Sequence, residues 1–235
     1  MRGKKLHKQD FETAYIIHQK PYLERKLRLS LLCKSKGLIH GIANKPSKKK
    51  SPLQTFTPMA VQLSIGKQLA TIHAIEPRGF LPLVDAKAML SGLYFNELLY
   101  RLCQPLNDGE ELFNCYEQHL QGIMQKQHRQ QHIRQFEHSL QNILGYALDF
   151  QHLDSDAQWF YYHPEHGLQI TSSTHPEKIH RDTLLQLEQQ QWQQECVQKL
   201  SKHIFAKVLK NLLGPQALAI TALTHKPSPT PLLQS

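Results

Sequence analysis

The sequence has no apolar run of the roughly 18 residues that a membrane span needs. It also contains none of the short motifs that mark nucleotide hydrolysis or covalent catalysis: Walker A, GxGxxG, GxSxG and HExxH are all missing. Residues 1–80 hold only four carboxylates, and none are paired in a way that suits magnesium binding or acid–base catalysis. These observations predict a protein that is not an enzyme.

Cysteine is also scarce, with four residues at positions 33, 103, 115 and 196. None are paired at zinc-finger spacing, and a chain of 235 residues does not depend on disulfides. All four lie in apolar segments, so we predict buried thiols that fill the core. The N-terminal MRGKKLHKQD is followed by no apolar segment, so we expect no signal peptide and a cytoplasmic protein.

Histidine, by contrast, is abundant, with 15 residues, and several of them fall between positions 152 and 180. His163 and His166 have the spacing of one zinc-ligand pair. A zinc site normally needs a second pair, usually with cysteine, and no cysteine occurs between 115 and 196. We therefore predict surface histidines, no metal site and no cofactor.

The positive charge is concentrated in the first third of the chain. Residues 1–80 hold 16 of the 28 Lys and Arg residues but four of the 19 Asp and Glu residues, whereas the remainder is slightly acidic. Such asymmetry favours a polyanionic partner, usually nucleic acid. The simpler alternative is a basic surface that serves only solubility.

Five short β-strands are predicted in the basic part, at 13–22, 26–35, 38–45, 56–67 and 68–77. In the second of these, Leu27, Leu29 and Leu31 alternate with Lys26, Arg28 and Ser30, as in a half-buried strand. Five strands with few helix signals predict a small closed barrel.

Beyond residue 80 the apolar period changes to that of helices, predicted over 87–102, 111–124, 132–144, 183–191 and 195–213. The first is apolar nearly all round, which predicts a buried helix. Gly145 should cap the C-terminus of the third helix, and Asp182 is the candidate N-cap of the fourth. The overall prediction is an α+β protein with a barrel over 1–80, a helical domain over 81–218 and a disordered tail over 219–235; the helical domain contains an irregular or hairpin insertion near 151–177, around His166-Gly167.

The strongest candidate site is a cluster of cations in the predicted barrel. Ammonium and guanidinium groups bind phosphates, and five-stranded barrels bind single strands on one face. Tyr22 is the candidate for stacking on a base, although an ordinary core or rim tyrosine is the simpler interpretation. The predicted nucleic-acid-binding cations are Arg25, Lys26, Arg28, Lys34, Lys36, Lys45, Lys48, Lys49 and Lys50.

A second group of cations lies in the helical part and could form a rim around an apolar groove. Such a rim would suit an acidic peptide that ends in an aromatic residue. The simpler alternative is a solvated helix face whose last lysines complement the helix dipole. The group consists of Arg134, Lys178, Arg181, Lys199, Lys202, Lys207 and Lys210.

The chain resembles the bacterial RecO family of recombination-repair proteins over roughly 12–150, and more faintly to 218. The segments that carry the resemblance are AYIIHQKPYLE (14–24), LQTFTPM (53–59), LSGLYFNELLYRL (90–102), ELFNCYE (111–117) and RQFEHSLQNILGYALDF (134–150). The combination of SGLYFNELL with FE and LGY about 40 residues later is specific, whereas no single segment is.

The resemblance implies an N-terminal OB-fold, a helical C-terminal domain and a non-enzymatic mediator of the RecFOR pathway at the nucleoid. Such proteins bind single- and double-stranded DNA, anneal complementary strands and work with RecR to load RecA onto DNA coated by SSB. They also bind the acidic C-terminal tail of SSB, and Arg134 matches the family's arginine before Phe-Glu. An RNA-binding OB module without annealing activity is the alternative.

Three departures from the family pattern bear on these expectations. Many relatives carry a four-cysteine zinc site after LGY, and the stretch 151–167 here has no cysteine. Residues 46–52, between two prolines, are predicted to form an exposed basic loop with Lys48, Lys49 and Lys50. The stretch that leads into this loop reads Ala43-Asn44-Lys45-Pro46 instead of the family's Ala-Lys-Gly-Ala-Arg, so its charge is displaced. A basic segment near the family's C-terminus is replaced here by 219–222, Ala-Ile-Thr-Ala.

Overall fold

The structure is a computed structural model that describes residues 11–46, 53–79, 85–103, 109–214 and residue 218. Lys48, Lys49 and Lys50 of the predicted basic loop, and the predicted tail 219–235, lie outside the described residues.

The N-terminal part forms the predicted closed barrel. Its strands are β1 Glu12–Leu23, β2 Lys26–Cys33, β3 Gly37–Asn44, β4 Met59–Ser64 and β5 Ala70–Pro77. They close in the order β1-β2-β3-β5-β4, with β4 paired to β1, and only the β3–β5 pairing is parallel. This is the five-stranded Greek-key barrel of the OB type.

The strands β1 and β2 are buried on both faces where they cross the middle of the molecule. Ile16 and Leu31 point into the barrel interior, whereas Tyr15 and Leu32 on the opposite face pack into the core of the helical part. The prediction of a half-buried strand is therefore correct for the first half of β2 and wrong for the second half. The reason is that a second core covers the outer face there, where even Ser30 is buried.

The helical part contains α1 Ala86–Leu102, α2 Glu110–Gly122, α3 Arg129–Ile143, α4 Arg181–Glu188 and α5 Glu195–Leu213. Its core is aromatic: Phe95 stacks on Phe136 with ring centroids 3.9 Å apart, and both are fully buried. None of the helices that the structure describes combines the length and apolar character of a membrane span.

The prediction that α1 is buried is wrong for one of its faces. Met89, Leu93 and Tyr100 are each more than one-third exposed. The apolar pattern of a helix does not reveal which side its neighbours cover, and here the barrel and the other helices leave one side open.

A small sheet, ordered β7-β6-β8, lies between α3 and α4 and is preceded by a 3₁₀ helix, Gln151–Asp154. The hairpin of β6 Trp159–His163 and β7 Gly167–Ile170 confirms the one predicted around His166-Gly167. The third strand, β8 Ile179–His180, was not predicted, so the C-terminal part is mainly helical rather than entirely so.

The predicted caps of two helices have different outcomes. Gly145 follows the last residues of α3 with φ +84°, which confirms its capping role. The prediction that Asp182 is the N-cap is wrong, because α4 begins at Arg181, two residues earlier than predicted, and His180 is the N-cap. Its ring Nδ1 accepts a hydrogen bond from the backbone N–H of Asp182 at 3.3 Å.

The cysteines follow the prediction in part. Cys33 and Cys103 are buried, and burial raises the pKa of each thiol to about 12. Cys115 is half-buried. Cys196 is exposed in the first turn of α5, so the prediction that it fills the core is wrong; the apolar positions of that helix begin at the next residue, Val197, which is fully buried.

Candidate nucleic-acid interface

The β1–β2 hairpin carries a row of cations on the outer face of the barrel. Because side chains alternate along a strand, Leu27 and Leu29 face inward while Lys26 and Arg28 face outward. Lys20 of β1 lies directly opposite Arg28. The pairing thus places three cations of two neighbouring strands on one surface, and Lys20 was not among the predicted site residues.

At the tip of this hairpin the structure gathers three further residues of the predicted site, Tyr22, Arg25 and Lys45. Tyr22 is 48% exposed, which excludes the core position and leaves the rim and stacking interpretations. The backbone N–H of Lys45 donates to the carbonyl of Arg25 at 2.9 Å, and Lys45 Nζ donates to the carbonyl of Glu24 at 2.7 Å. The end of β3 is thereby fixed beside the tip, and in sequence it immediately precedes the segment that contains Lys48, Lys49 and Lys50.

Lys34 and Lys36 lie at the other end of β2, which is about 25 Å long for eight residues. Lys36 Nζ pairs with Glu12 Oε2 at 2.7 Å. Although partial burial raises the pKa of Glu12, the hydrogen bonds from Lys36 and Ser35 hold it below its usual value. The charge of Lys36 is thus offset locally, and the structure divides the predicted cluster between two ends of the barrel.

A cavity of about 350 Å³ opens where β3 meets β5. The two strands pair over only two residue pairs, Gly41–Ala70 and Ile42–Thr71. Lys45 and Glu76 line the cavity together with the apolar residues Leu53 and Ile72. Its lining includes Lys45, Pro46 and Leu53, which border the undescribed residues 47–52, and it lies on the side of the barrel where strand pairing is shortest.

A second concave surface lies between the barrel and the helices, and of its lining residues only Arg28 belongs to the predicted site. It is a groove of about 450 Å³ lined by Arg28, His40, Tyr100, Arg101, Leu212 and Leu213. We call it the junction groove. Only Arg28 could be found from the sequence, since the other five come from β3, α1 and α5, whose relative positions follow from the fold.

The predicted peptide-binding cations are distributed over several environments. Arg134 is only 7% exposed, and its guanidinium pairs with the buried carboxylate of Glu137 at 2.6 Å. Exposed Lys202 on α5 is close enough to this pair to lower the pKa of Glu137. Lys199, one turn earlier, pairs with Glu195 at 2.6 Å.

The other members of that set contact the small sheet or the end of α5. The Arg181 guanidinium donates two hydrogen bonds to the carbonyl of Leu153 at 2.6 and 3.1 Å, which ties α4 to the 3₁₀ helix. Lys178 lies over the ring of Trp159, and Lys207 pairs with Glu177 at 2.8 Å. Lys210 is exposed in the last turn of α5. The structure thus brings together Arg134 and Lys202, but not the full predicted rim.

The β6–β7 hairpin brings three possible metal ligands together. The nearest ligand atoms of His163, Glu165 and His166 all lie within 4.8 Å of one another. The set is open to solvent, and Nδ1 of His163 accepts a hydrogen bond from the backbone N–H of Glu165 at 3.2 Å. In the neutral ring this bond places the proton on Nε2. A metal ion that binds His163 would therefore have to displace either the backbone N–H from Nδ1 or the proton from Nε2. The absence of a resident metal stays a prediction.

Comparison with known proteins agrees with this architecture. The family model "Recombination protein O N terminal" matches residues 10–80, which contain the barrel, and "Recombination protein O C terminal" matches residues 83–153, which contain α1 to α3. The boundary between the two matches falls between β5 and α1.

Several relatives carry the name "DNA repair protein RecO". The protein from Actinobacillus succinogenes is 28% identical over 220 residues, covering 89% of this chain and 93% of its own length. The protein from Pasteurella multocida is 28% identical over 221 residues, covering 89% and 92%. The protein from Idiomarina loihiensis is 31% identical over 169 residues, covering 66% and 72%. The barrel, the helices and these matches together show that the chain belongs to the RecO family of DNA repair and recombination proteins.

Proposed function

We propose that this chain is a DNA-binding mediator that anneals complementary single strands during recombinational repair. The observation that carries the proposal is the solvent-facing set of cations on the β1–β2 hairpin, with exposed Tyr22 at its tip. Lys20 and Arg28 are paired across the two strands and lie side by side on the outer face of the barrel. Arg25 and Lys26 are exposed beside them. A barrel of the OB type with such a surface is suited to the backbone of a single strand.

Annealing on this surface requires no covalent chemistry. Two single strands repel each other because both backbones are polyanionic, and a protein that neutralises phosphates removes part of that repulsion by releasing counterions. Base complementarity then supplies the free energy of pairing. The protein contributes binding and positioning, in keeping with the proposal that it is not an enzyme.

The test is annealing of complementary DNA strands by the full chain, with and without SSB. Faster annealing of SSB-coated strands supports the proposal. Tight binding to RNA without annealing would support the RNA-binding alternative instead, and metal-dependent cleavage or ATP turnover would contradict the non-enzymatic mechanism.

Charge-reversal variants would test whether the hairpin tip binds DNA. We expect two variants to weaken DNA binding and to flatten its salt dependence, because fewer phosphates are neutralised. One is the double variant Arg25→Glu/Lys26→Glu, and the other is the triple variant Lys48→Glu/Lys49→Glu/Lys50→Glu. The matched control is Lys67→Glu/Lys87→Glu, which changes two exposed lysines elsewhere and alters the net charge as the double variant does. Equal losses in the double variant and the control would show that overall charge, not the hairpin, governs binding.

The finer mediator role is part of the same proposal: cooperation with RecR, indirect loading of RecA and binding of the SSB tail. For the acidic tail we propose the exposed face of α5 around Lys199 and Lys202, next to the Arg134–Glu137 pair. The charge reversal Lys199→Glu/Lys202→Glu should weaken binding of a fluorescent SSB-tail peptide while leaving DNA binding nearly unchanged. Equal weakening of both would contradict separate sites.

A further inference from the structure

We propose that the junction groove seats one base of a bound single strand against Tyr100, with Arg28 holding the adjoining phosphate. This inference rests on the proposed DNA binding and extends it, because it assigns a base-stacking position on α1 rather than on the barrel. It also predicts that a bound strand runs from the hairpin tip along the outer face of β2 to the helices.

The first support is the environment of the Tyr100 ring. It stacks on the His18 ring with centroids 4.2 Å apart and planes at 23°, and the His40 ring lies at 80° to it with centroids 6.4 Å apart. Tyr100 nevertheless remains 39% exposed at the wall of the groove. An aromatic ring that is held in place by a neighbouring ring and is still open to solvent is the platform on which single-strand binders stack bases.

The second support is that the groove continues the cationic row of the hairpin. Strand pairing aligns His18, Ser30 and His40 across β1, β2 and β3. The next outward-facing row along the strands contains Lys20 and Arg28, about 7 Å closer to the tip. A backbone that follows these cations from the tip therefore reaches Tyr100 without leaving the positively charged surface.

The third support is the chemistry of the groove lining. Arg28 from the barrel supplies positive charge beside the aromatic ring, whereas the charge of Arg101 from α1 is partly offset by Glu97 at 3.5 Å. Leu212 and Leu213 of α5 give the opposite wall an apolar edge. A nucleotide presents a flat base for the tyrosine ring and an adjacent anionic phosphate for the arginine. The groove lining is therefore complementary to a nucleotide of a single strand.

The experiment compares Tyr100→Ala with Leu93→Ala in the full chain. Leu93 is a matched control because it lies two turns earlier on α1 and its exposed fraction, 38%, is similar to that of Tyr100. Unlike Tyr100, it does not line the groove. Fluorescence anisotropy with a labelled oligothymidine should show affinity about tenfold weaker for Tyr100→Ala, the size expected for losing one stacked base. The slope of affinity against salt should not change, because no charge has been removed.

Two further variants keep the test decisive. Tyr100→Phe should bind like the native chain, since it retains the ring, and Tyr100→Trp should show fluorescence quenching when the oligonucleotide binds. If the native chain binds no oligonucleotide in dilute salt, the proposed function itself fails. If it binds, but Tyr100→Ala binds as tightly as Leu93→Ala, or if Tyr100→Phe is as weak as Tyr100→Ala, the groove assignment is wrong and the proposed function still stands.

Discussion

Replacing Arg134 by methionine should destabilise the fold more than it changes any binding surface. The Arg134 guanidinium meets Glu137 at 2.6 Å, and the Tyr94 hydroxyl donates to the other carboxylate oxygen at 2.6 Å. Glu137 is 1% exposed and Arg134 is 7% exposed. In Arg134→Met the carboxylate keeps its hydrogen bond from Tyr94 but loses the cation that compensates its burial.

Breaking a buried ion pair by removing one partner costs about 3–5 kcal/mol, because an uncompensated charge is left in the interior. The fold of a domain is stable by only about 5–15 kcal/mol in total, so the loss is a large share. Removing both charges should restore most of it. Arg134→Met/Glu137→Gln leaves an amide oxygen that still accepts the Tyr94 hydrogen bond, and it buries no charge.

The cost of Arg134→Met should also grow with pH. Burial already raises the pKa of Glu137 to about 7, against the lowering effects of Arg134, Tyr94 and Lys202. A carboxyl group with a raised pKa stays protonated in the folded chain over a pH range where the unfolded chain releases the proton, so stability falls as pH rises through that range. Removing Arg134 raises the pKa further and extends the fall toward alkaline pH.

The assay is urea unfolding followed by circular dichroism at pH 5.5 and pH 8.5 for the native chain, the single variant and the double variant. We expect a larger deficit for the single variant at pH 8.5 and near-native stability for the double variant. A deficit below about 1 kcal/mol at both pH values would refute the reasoning, because that is the range of an exposed pair. The double variant should also keep its affinity for the SSB-tail peptide if Lys199 and Lys202 carry that binding.

Three other outcomes are expected. Gly92→Ala should lower the melting temperature by several degrees, since the added Cβ would lie 2.7 Å from the buried ring of Phe56, whereas Gly79→Ala, with 3.6 Å to its nearest neighbour, should not. DNA binding should tighten as pH falls from 8 to 6. Burial and the cations Lys20 and Arg28 lower the pKa of His18, and a bound phosphate would favour the protonated form of this ring. Titrations of DNA binding against pH at constant salt measure this, and a flat profile would contradict it. Thermal melts with and without a chelator should coincide, since His163, Glu165 and His166 form an open set, and a shift would reveal a structural metal.

The barrel was predictable because its signal is local. Alternation in β2 places Leu27, Leu29 and Leu31 inside whatever the rest of the chain does. The burial of Leu32 and Leu38 on the opposite face was not predictable in the same way, because it depends on helices that begin some 50 residues later. Periodicity identifies the faces of an element, but only the tertiary arrangement shows how many of them are covered.

The candidate site shows the same limit. Arg25, Lys26 and Arg28 come together because they are close in sequence, and a count of charges finds them. Lys34 is closer to Arg28 in sequence than Lys20 is, yet it lies at the other end of the strand, whereas Lys20 lies opposite Arg28. Strand register, and not sequence distance, therefore decides which of the predicted cations can contact the same stretch of a bound strand.

The shared burial of β1 and β2 also determines how binding can be measured. Tyr15, Ile17, Leu32 and Leu38 form the outer face of the barrel and belong to the helical core. A fragment that ends at residue 80 would expose all four, at a cost of about 2 kcal/mol each, or roughly 8 kcal/mol, which approaches the whole stability of a domain. Failure of such a fragment to bind DNA would therefore report the loss of its packing. The hairpin that carries the cations is positioned by the helices behind it, so the interface has to be tested in the full chain.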